Sequence, residues 1–100
     1  MFTVDETVYT LKYNKKKLKT IELVTKTSII GEVAKNNGIL PYQTLETLFS
    51  AALVEESTNE VVKQSIAVEM FDKVVEENGL LTVNTAIIEK LQEDLGFMFR

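Results

Sequence analysis

Three of the pairs of adjacent carboxylates in this sequence are candidates for acid–base chemistry. They are Glu55-Glu56, Glu76-Glu77 and Glu93-Asp94. A carboxyl group acts as a general acid near neutral pH only when a desolvated pocket raises its pKa. Each pair lies at a predicted helix end or on a predicted polar face, where water solvates it. We therefore predict no catalytic role for these pairs.

The composition excludes most other kinds of catalysis. The 100 residues include no His and no Cys, so the usual nitrogen and sulfur metal ligands, general bases and nucleophilic dyads are missing. The sequence also has no glycine-rich phosphate loop and no calcium-loop pattern. We expect a non-enzymatic protein with no catalytic residues, no metal site and no cofactor.

Five lysines near the N-terminus are the strongest candidates for binding through charge. They are Lys12, Lys15, Lys16, Lys17 and Lys19. Basic residues beside an aromatic ring such as Tyr13 can bind phosphates and stack a base. The whole chain, however, has a net charge of -4 and a pI near 4.8, whereas nucleic-acid-binding domains are usually basic. We favour a solvated face or a site for an acidic protein partner over a nucleic-acid site.

The charge is divided unevenly along the chain. Residues 1–36 contain seven lysines and four carboxylates, a net charge of +3, whereas residues 37–100 contain four basic and eleven acidic side chains, a net charge of -7. A molecule with a basic part and an acidic part can attract copies of itself end to end, over a range that salt shortens. The alternative interpretation is two solvated faces of different charge.

Three large apolar residues follow Gly96, which we expect to end the last helix. Phe97, Met98 and Phe99 either fold back onto the core or dock in a groove of a neighbouring copy or of a client protein. Together with the five lysines, they are the candidate partner-binding residues of this chain.

Apolar spacing predicts the elements that position these residues. Residues 2–13 alternate as strands do, which predicts a β-hairpin that turns at Asp5-Glu6. Five helices with apolar stripes follow at residues 15–25, 29–35, 41–54, 58–77 and 83–95. The stripe of the third helix is Leu45, Leu48, Phe49, Ala52 and Leu53, and that of the fourth is Val62, Ile66, Met70 and Val74. Apolar residues at the edges of helix faces include Leu23, Val24 and Val61. Asn14 and Ser28 are expected to cap the first two helices, and Ser57 with Glu60 forms a capping box before the fourth and longest. Asn36-Asn37-Gly38 is expected to end the second helix with a left-handed stop.

These elements predict one domain over residues 1–100, of the α+β class and mostly α. It has a β-hairpin at 1–13, about five helices in a compact bundle over a helical body at 14–96, and an apolar tail at 97–100. Small helical domains often gain stability by self-association. No basic segment followed by an apolar run opens the chain, and no stretch approaches the ~20 apolar residues of a membrane span. We expect a soluble protein without a signal peptide.

Several segments in this order carry a resemblance to a known family. They are residues 2–14 (FTVDETVYTLKYN), 28–33 (SIIGEV), 45–54 (LETLFSAALV), 57–61 (STNEV) and 95–97 (LGF). The chain resembles, over nearly its whole length, the tail assembly chaperones of long-tailed phages that infect Gram-positive bacteria. The resemblance rests on hairpin, stripe and capping patterns, and it assigns no functional residues.

The resemblance implies a mostly helical chaperone that assembles into spirals and coats the tape measure protein, keeping it soluble until the tail tube polymerises. The implied partners are the tape measure protein, the major tail protein and copies of the chain itself, in the cytoplasm of a bacterial host. Many such chaperones also exist in a longer frameshifted form, and this chain resembles the short form. The alternatives are a structural or adaptor protein of the phage particle, such as a head–tail connector, and a nucleic-acid-binding regulator.

Overall fold

The computed structural model describes residues 2–35 and 37–99. The elements are, in chain order, β1 (Phe2–Val4), β2 (Thr7–Leu11), α1 (Lys15–Thr25), α2 (Ile29–Lys35), α3 (Tyr42–Ala52), β3 (Leu53–Glu55), α4 (Gln64–Asn78), α5 (Leu80–Leu95) and a 3-10 helix (Gly96–Phe99). Five α-helices and one three-stranded antiparallel sheet in the described residues confirm the predicted class, α+β and mostly α. The Cα radius of gyration of 12.8 Å agrees with the ~13 Å expected of a compact domain of this length.

The predicted hairpin is confirmed, and its turn lies at Asp5 and Glu6. Both residues have left-handed backbone conformations, with φ of 49° and 69°. Two consecutive left-handed residues form a turn whose twist matches the flanking strands, even without the usual Asn-Gly. Strand β2 then places Leu11 in the core, whereas Val8 faces outward.

The predicted caps of α1 and α2 are confirmed. Oδ1 of Asn14 accepts a backbone N–H at 2.8 Å, and Oγ of Ser28 accepts another at 3.1 Å. The predicted left-handed stop after α2 is confirmed at Asn37 and Gly38, which have φ of 56° and 81°. Its first residue, Asn36, lies outside the described residues.

A third strand occupies a segment that the apolar spacing assigned to a helix. Helix α3 ends at Ala52, and β3 pairs antiparallel with β2, with Leu53 opposite Leu11. The predicted extension of this helix to residue 54 is therefore wrong. Pairing satisfies the open backbone edge of β2 and buries Leu53 and Val54, which outweighs the local preference for helix.

The predicted capping box formed by Ser57 and Glu60 is also wrong. The chain turns back here instead, and the N–H of Glu55 donates to the carbonyl of Glu60 at 2.9 Å. Val61 then forms an antiparallel bridge with Val54. The backbone of this segment bonds to β3, so it cannot open a helix.

Helix α4 begins at Gln64, after the predicted position 58, and its buried face differs from the predicted stripe. Ala67, Met70 and Phe71 are buried, whereas Ile66, predicted to face the core, is exposed. Among the described helices the longest is α5, with 16 residues, rather than α4, with 15.

Two glycines lie at helix ends but differ in conformation. Gly79 has φ of 85° and ψ of 148°, a region that residues with a Cβ rarely adopt, and this sharp turn lets α5 begin at Leu80 rather than at the predicted Val83. Helix α5 ends at Leu95 as predicted. Gly96, however, is right-handed, with φ of -54° and ψ of -31°, so the chain tightens into a 3-10 helix instead of stopping.

Helix α3 forms the centre of the core and packs between α1 and the pair α4 and α5. Its predicted stripe is buried at Leu45, Leu48, Phe49 and Ala52. The ring of Phe49 lies 5.4 Å from that of Phe71 on α4 and 5.6 Å from that of Phe2 on β1. This helix therefore fixes the position of α1, which carries most of the candidate lysines.

Candidate protein-binding surface

The predicted lysines lie on and just before the first turns of α1. On the helix itself the exposed ones are Lys15, Lys16 and Lys19. Nζ of Lys12, before the helix, donates to Oδ1 of Asn59 at 2.6 Å. Lys17 is half-buried, and its Nζ donates to the carbonyl of Lys12 at 2.9 Å. Lys12 and Lys17 thus help to hold the local fold, and the other three are the more accessible cations.

Asp94, near the end of α5, links that helix to the start of α1. One carboxylate oxygen accepts the N–H of Tyr13 at 2.9 Å, and the other lies 3.2 Å from Nζ of Lys90. Burial acts to lower the pKa of Lys90, but hydrogen bonds to Glu93 and Asp94 outweigh it and raise that pKa. Burial lowers the pKa of Lys17, the charge of Lys12 lowers it further, and Asp94 opposes both. This network fixes the end of α5, and the tail that follows, against the lysine-bearing segment.

The predicted tail lies beside these lysines. Nζ of Lys15 is 5.3 Å from the centroid of the Phe97 ring, within the range of a cation–π contact. Phe97 and Met98 are exposed, whereas Phe99 is partly buried against the core. The structure therefore places one of the candidate lysines, Lys15, beside one residue of the candidate tail, Phe97. Docking of Phe97 and Met98 on a partner stays a prediction, and residue 100 lies outside the described residues.

Buried Tyr13 makes the stability of this region sensitive to alkaline pH. Its hydroxyl donates to the carbonyl of Leu48 at 2.9 Å, and burial, followed by the charge of Asp94, raises its pKa far above the usual 10.0. Because the folded pKa is the higher one, the stabilisation is complete below pH ~10 and is lost as pH rises beyond it. Above pH ~10, where Tyr13 ionises only in the unfolded state, each pH unit should lower the free energy of unfolding by up to about 1.4 kcal/mol.

Urea denaturation between pH 8 and 11.5 tests this expectation on the wild type and on Tyr13→Phe. The variant should lose about 1 kcal/mol at neutral pH, since one buried hydrogen bond is missing. Its stability should then fall less steeply above pH ~10 than that of the wild type. Parallel pH profiles for the two proteins would show that Tyr13 ionises freely in the folded state.

Three strongly exposed apolar side chains belong to this surface although spacing arguments placed them at the edges of helix faces. Leu23 is 78% exposed, and Val24 and Val61 are each 67% exposed. On α1 the sequence does indicate this exposure, because Leu23 and Val24 fall outside the stripe formed by the buried residues Leu18 and Ile21. For Val61 no local signal existed, since its position follows from pairing with β3.

Val24 and Val61 line a groove beside α1, which we call the α1 groove. It consists of two adjoining depressions of about 320 and 430 Å³ that share Thr20 and Ala51. Helix α1 contributes one wall, and α3 with residues 61–64 contributes the other. Lys16 lines the depression near the start of α1, and Lys63 lies with Val24 and Val61 in the other. Its described lining contains no carboxylate.

A second groove, of about 340 Å³, lies between the hairpin and α5. Buried Leu11, Phe49 and Ile87 line it together with Glu89, Lys90 and Glu93 of α5. The described lining of the α1 groove therefore carries only basic charges, whereas that of the second groove carries both signs.

Within residues 2–35 and 37–99, no group of three or more carboxylates is placed to hold a metal ion, and no helix is long and apolar enough to cross a bilayer. The described surface carries open grooves, accessible cations and exposed apolar side chains, which are features of protein binding. The chain matches no protein-family model, no curated protein and no solved structure.

Proposed function

We propose that this protein is a non-enzymatic phage tail assembly chaperone that self-associates and coats the tape measure protein in the host bacterial cytoplasm until the tail tube polymerises. The observation that carries the proposal is the α1 groove, an open and partly apolar surface bordered by accessible lysines. The resemblance of the sequence segments to such chaperones supports the same function.

The chemistry of the α1 groove suits a helical client. A tape measure protein rich in apolar helical segments needs its apolar stripe covered, and an amphipathic helix can lay such a stripe into a groove. Val24 and Val61 offer apolar contact in the groove. Lys16 and Lys63, which also line it, can pair with acidic residues on the polar face of the client.

The groove is also suited to release. A coat that the major tail protein displaces must bind each site weakly, because tight binding would block tube growth. Thr20, Thr47 and Ser50 line the groove together with its valines, and the large aromatic side chains that usually dominate tight interfaces are missing from its described lining. Many weak sites along one client give a coat that is stable as a whole and removable subunit by subunit.

Light scattering coupled to size-exclusion chromatography, over a hundredfold dilution, tests the self-association. We expect a mass that falls with dilution, and a strict monomer throughout would contradict spiral assembly. Mass spectrometry of purified phage particles separates the chaperone from the alternative, since a chaperone should be absent from them. A head–tail connector would be retained at a fixed copy number.

A further inference from the structure

We infer that the α1 groove of one copy binds the acidic corner between α4 and α5 of a second copy, so that the protein associates head to tail. The acidic corner consists of Glu76, Glu77, Leu80 and Leu81. The inference rests on the self-association in the proposed function, and it names the two surfaces that would meet. Because a helical client would use the same groove, a second copy and the client exclude each other at any one groove.

The groove supplies cations and apolar surface. Lys16 and Lys63 are both exposed and lie in its two depressions, one in each. Val24 and Val61 provide the apolar part. Since the described lining has no carboxylate, nothing in the groove neutralises these lysines, and an acidic partner with an apolar tip is the complementary ligand.

The acidic corner has the inverse chemistry within six residues. Glu76 and Glu77 are exposed in the last turn of α4, and no described cation lies within ion-pairing distance of either carboxylate. After the turn at Gly79, Leu80 and Leu81 are exposed at the first turn of α5, Leu81 to 68%. The acidic corner thus presents two carboxylates and two apolar side chains together. The carboxylates complement the lysines of the α1 groove, and the leucines complement its valines.

The two surfaces lie at opposite ends of α4. Gln64, the first residue of the helix, lines the groove, and Glu77 is near its last residue, roughly 20 Å away at the rise of an α-helix. One copy therefore cannot bring its own two surfaces together. A contact between unlike surfaces of two copies leaves one of each free, so association continues into a ring or an open filament rather than stopping at a dimer.

Charge reversal on each surface tests the inference. The groove variant is Lys16→Glu with Lys63→Glu, and the corner variant is Glu76→Lys with Glu77→Lys. Each reversal places at a helix end the charge that the helix dipole favours, because Lys16 and Lys63 lie at helix starts and the two glutamates at a helix end. Both variants should therefore keep the helical circular dichroism of the wild type.

Light scattering should show that each variant alone needs at least about tenfold higher concentration to associate, since like charges then face each other. An equimolar mixture should restore association, because the groove of each variant complements the corner of the other. The control matched in charge to the groove variant, Lys26→Glu with Lys35→Glu, lies at exposed positions outside both surfaces and should associate as the wild type does.

Association of either variant alone at wild-type concentrations, or a mixture no larger than its components, would overturn the inference. Either result would leave the proposed function standing if the wild type still self-associates and binds the tape measure protein. A wild type that stays monomeric but binds that client would overturn both this contact and the self-association. If a double variant lost its helical signal, Lys63→Glu and Glu77→Lys as single variants would serve in the same mixing test.

Discussion

Phe49→Ala should lower the free energy of unfolding by about 3–5 kcal/mol, a large part of the roughly 5–15 kcal/mol that holds a domain folded. The side chain is 2% exposed and stands between Phe2 on the sheet and Phe71 on α4. Its removal leaves a cavity at the point where the hairpin, α3 and α4 meet, and none of these elements can close it without breaking its own contacts. Urea denaturation followed by circular dichroism measures the loss.

Phe97→Ala is the matched control for this prediction. The same atoms are removed, but Phe97 is 45% exposed and lies in the 3-10 helix at the edge of the fold. We expect a loss below about 1 kcal/mol, from the partial burial of the ring and its contact with Lys15. Equal losses in the two variants would contradict the central position assigned to α3.

Asn84→Ala should also destabilise strongly, by about 1–3 kcal/mol for each backbone group that it leaves unpaired. Asn84 is buried, its Oδ1 accepts the N–H of Leu40 at 3.0 Å, and its Nδ2 donates to the carbonyl of Gly38 at 2.6 Å. These two bonds hold the segment before α3 against α5. Hydrogen exchange at the Leu40 amide should accelerate far more than the loss of global stability explains.

Asn78→Ala provides the comparison for Asn84→Ala. Asn78 is exposed, and its Nδ2 donates to a carbonyl of its own helix at 3.0 Å, so water can replace the lost bond. Its substitution should cost under about 1 kcal/mol. An Asn84→Ala protein as stable as Asn78→Ala would show that the segment before α3 does not depend on this side chain.

Local patterns predicted most of the helices and the hairpin because the signals lie within a few residues. Asn14 caps α1 through the N–H three residues on, and the stripe of α3 repeats at helical spacing. The segment from Leu53 to Val61 was mispredicted because its conformation depends on β2, more than forty residues earlier. Asn84 likewise gave no local signal, since its partners lie 44 and 46 positions away.

The candidate surface was predictable only in part for the same reason. The residue types of the lysines and the tail marked them as binding candidates, but their proximity depends on Asp94, whose bond to Tyr13 spans 81 positions. The α1 groove needs α3 and residues 61–64 as its second wall, and the predicted helix at 58–77 would have removed that wall. A surface built from distant segments depends on the tertiary fold, so residue spacing along the chain cannot predict it.

Co-expression with a phage tape measure protein tests the proposed chaperone function most directly. The tape measure protein should move from the insoluble to the soluble fraction and should co-purify with this chain, whereas an unrelated acidic domain of similar size should leave it insoluble. A tape measure protein that stays insoluble, while this chain is present in excess, soluble and folded, would contradict the account.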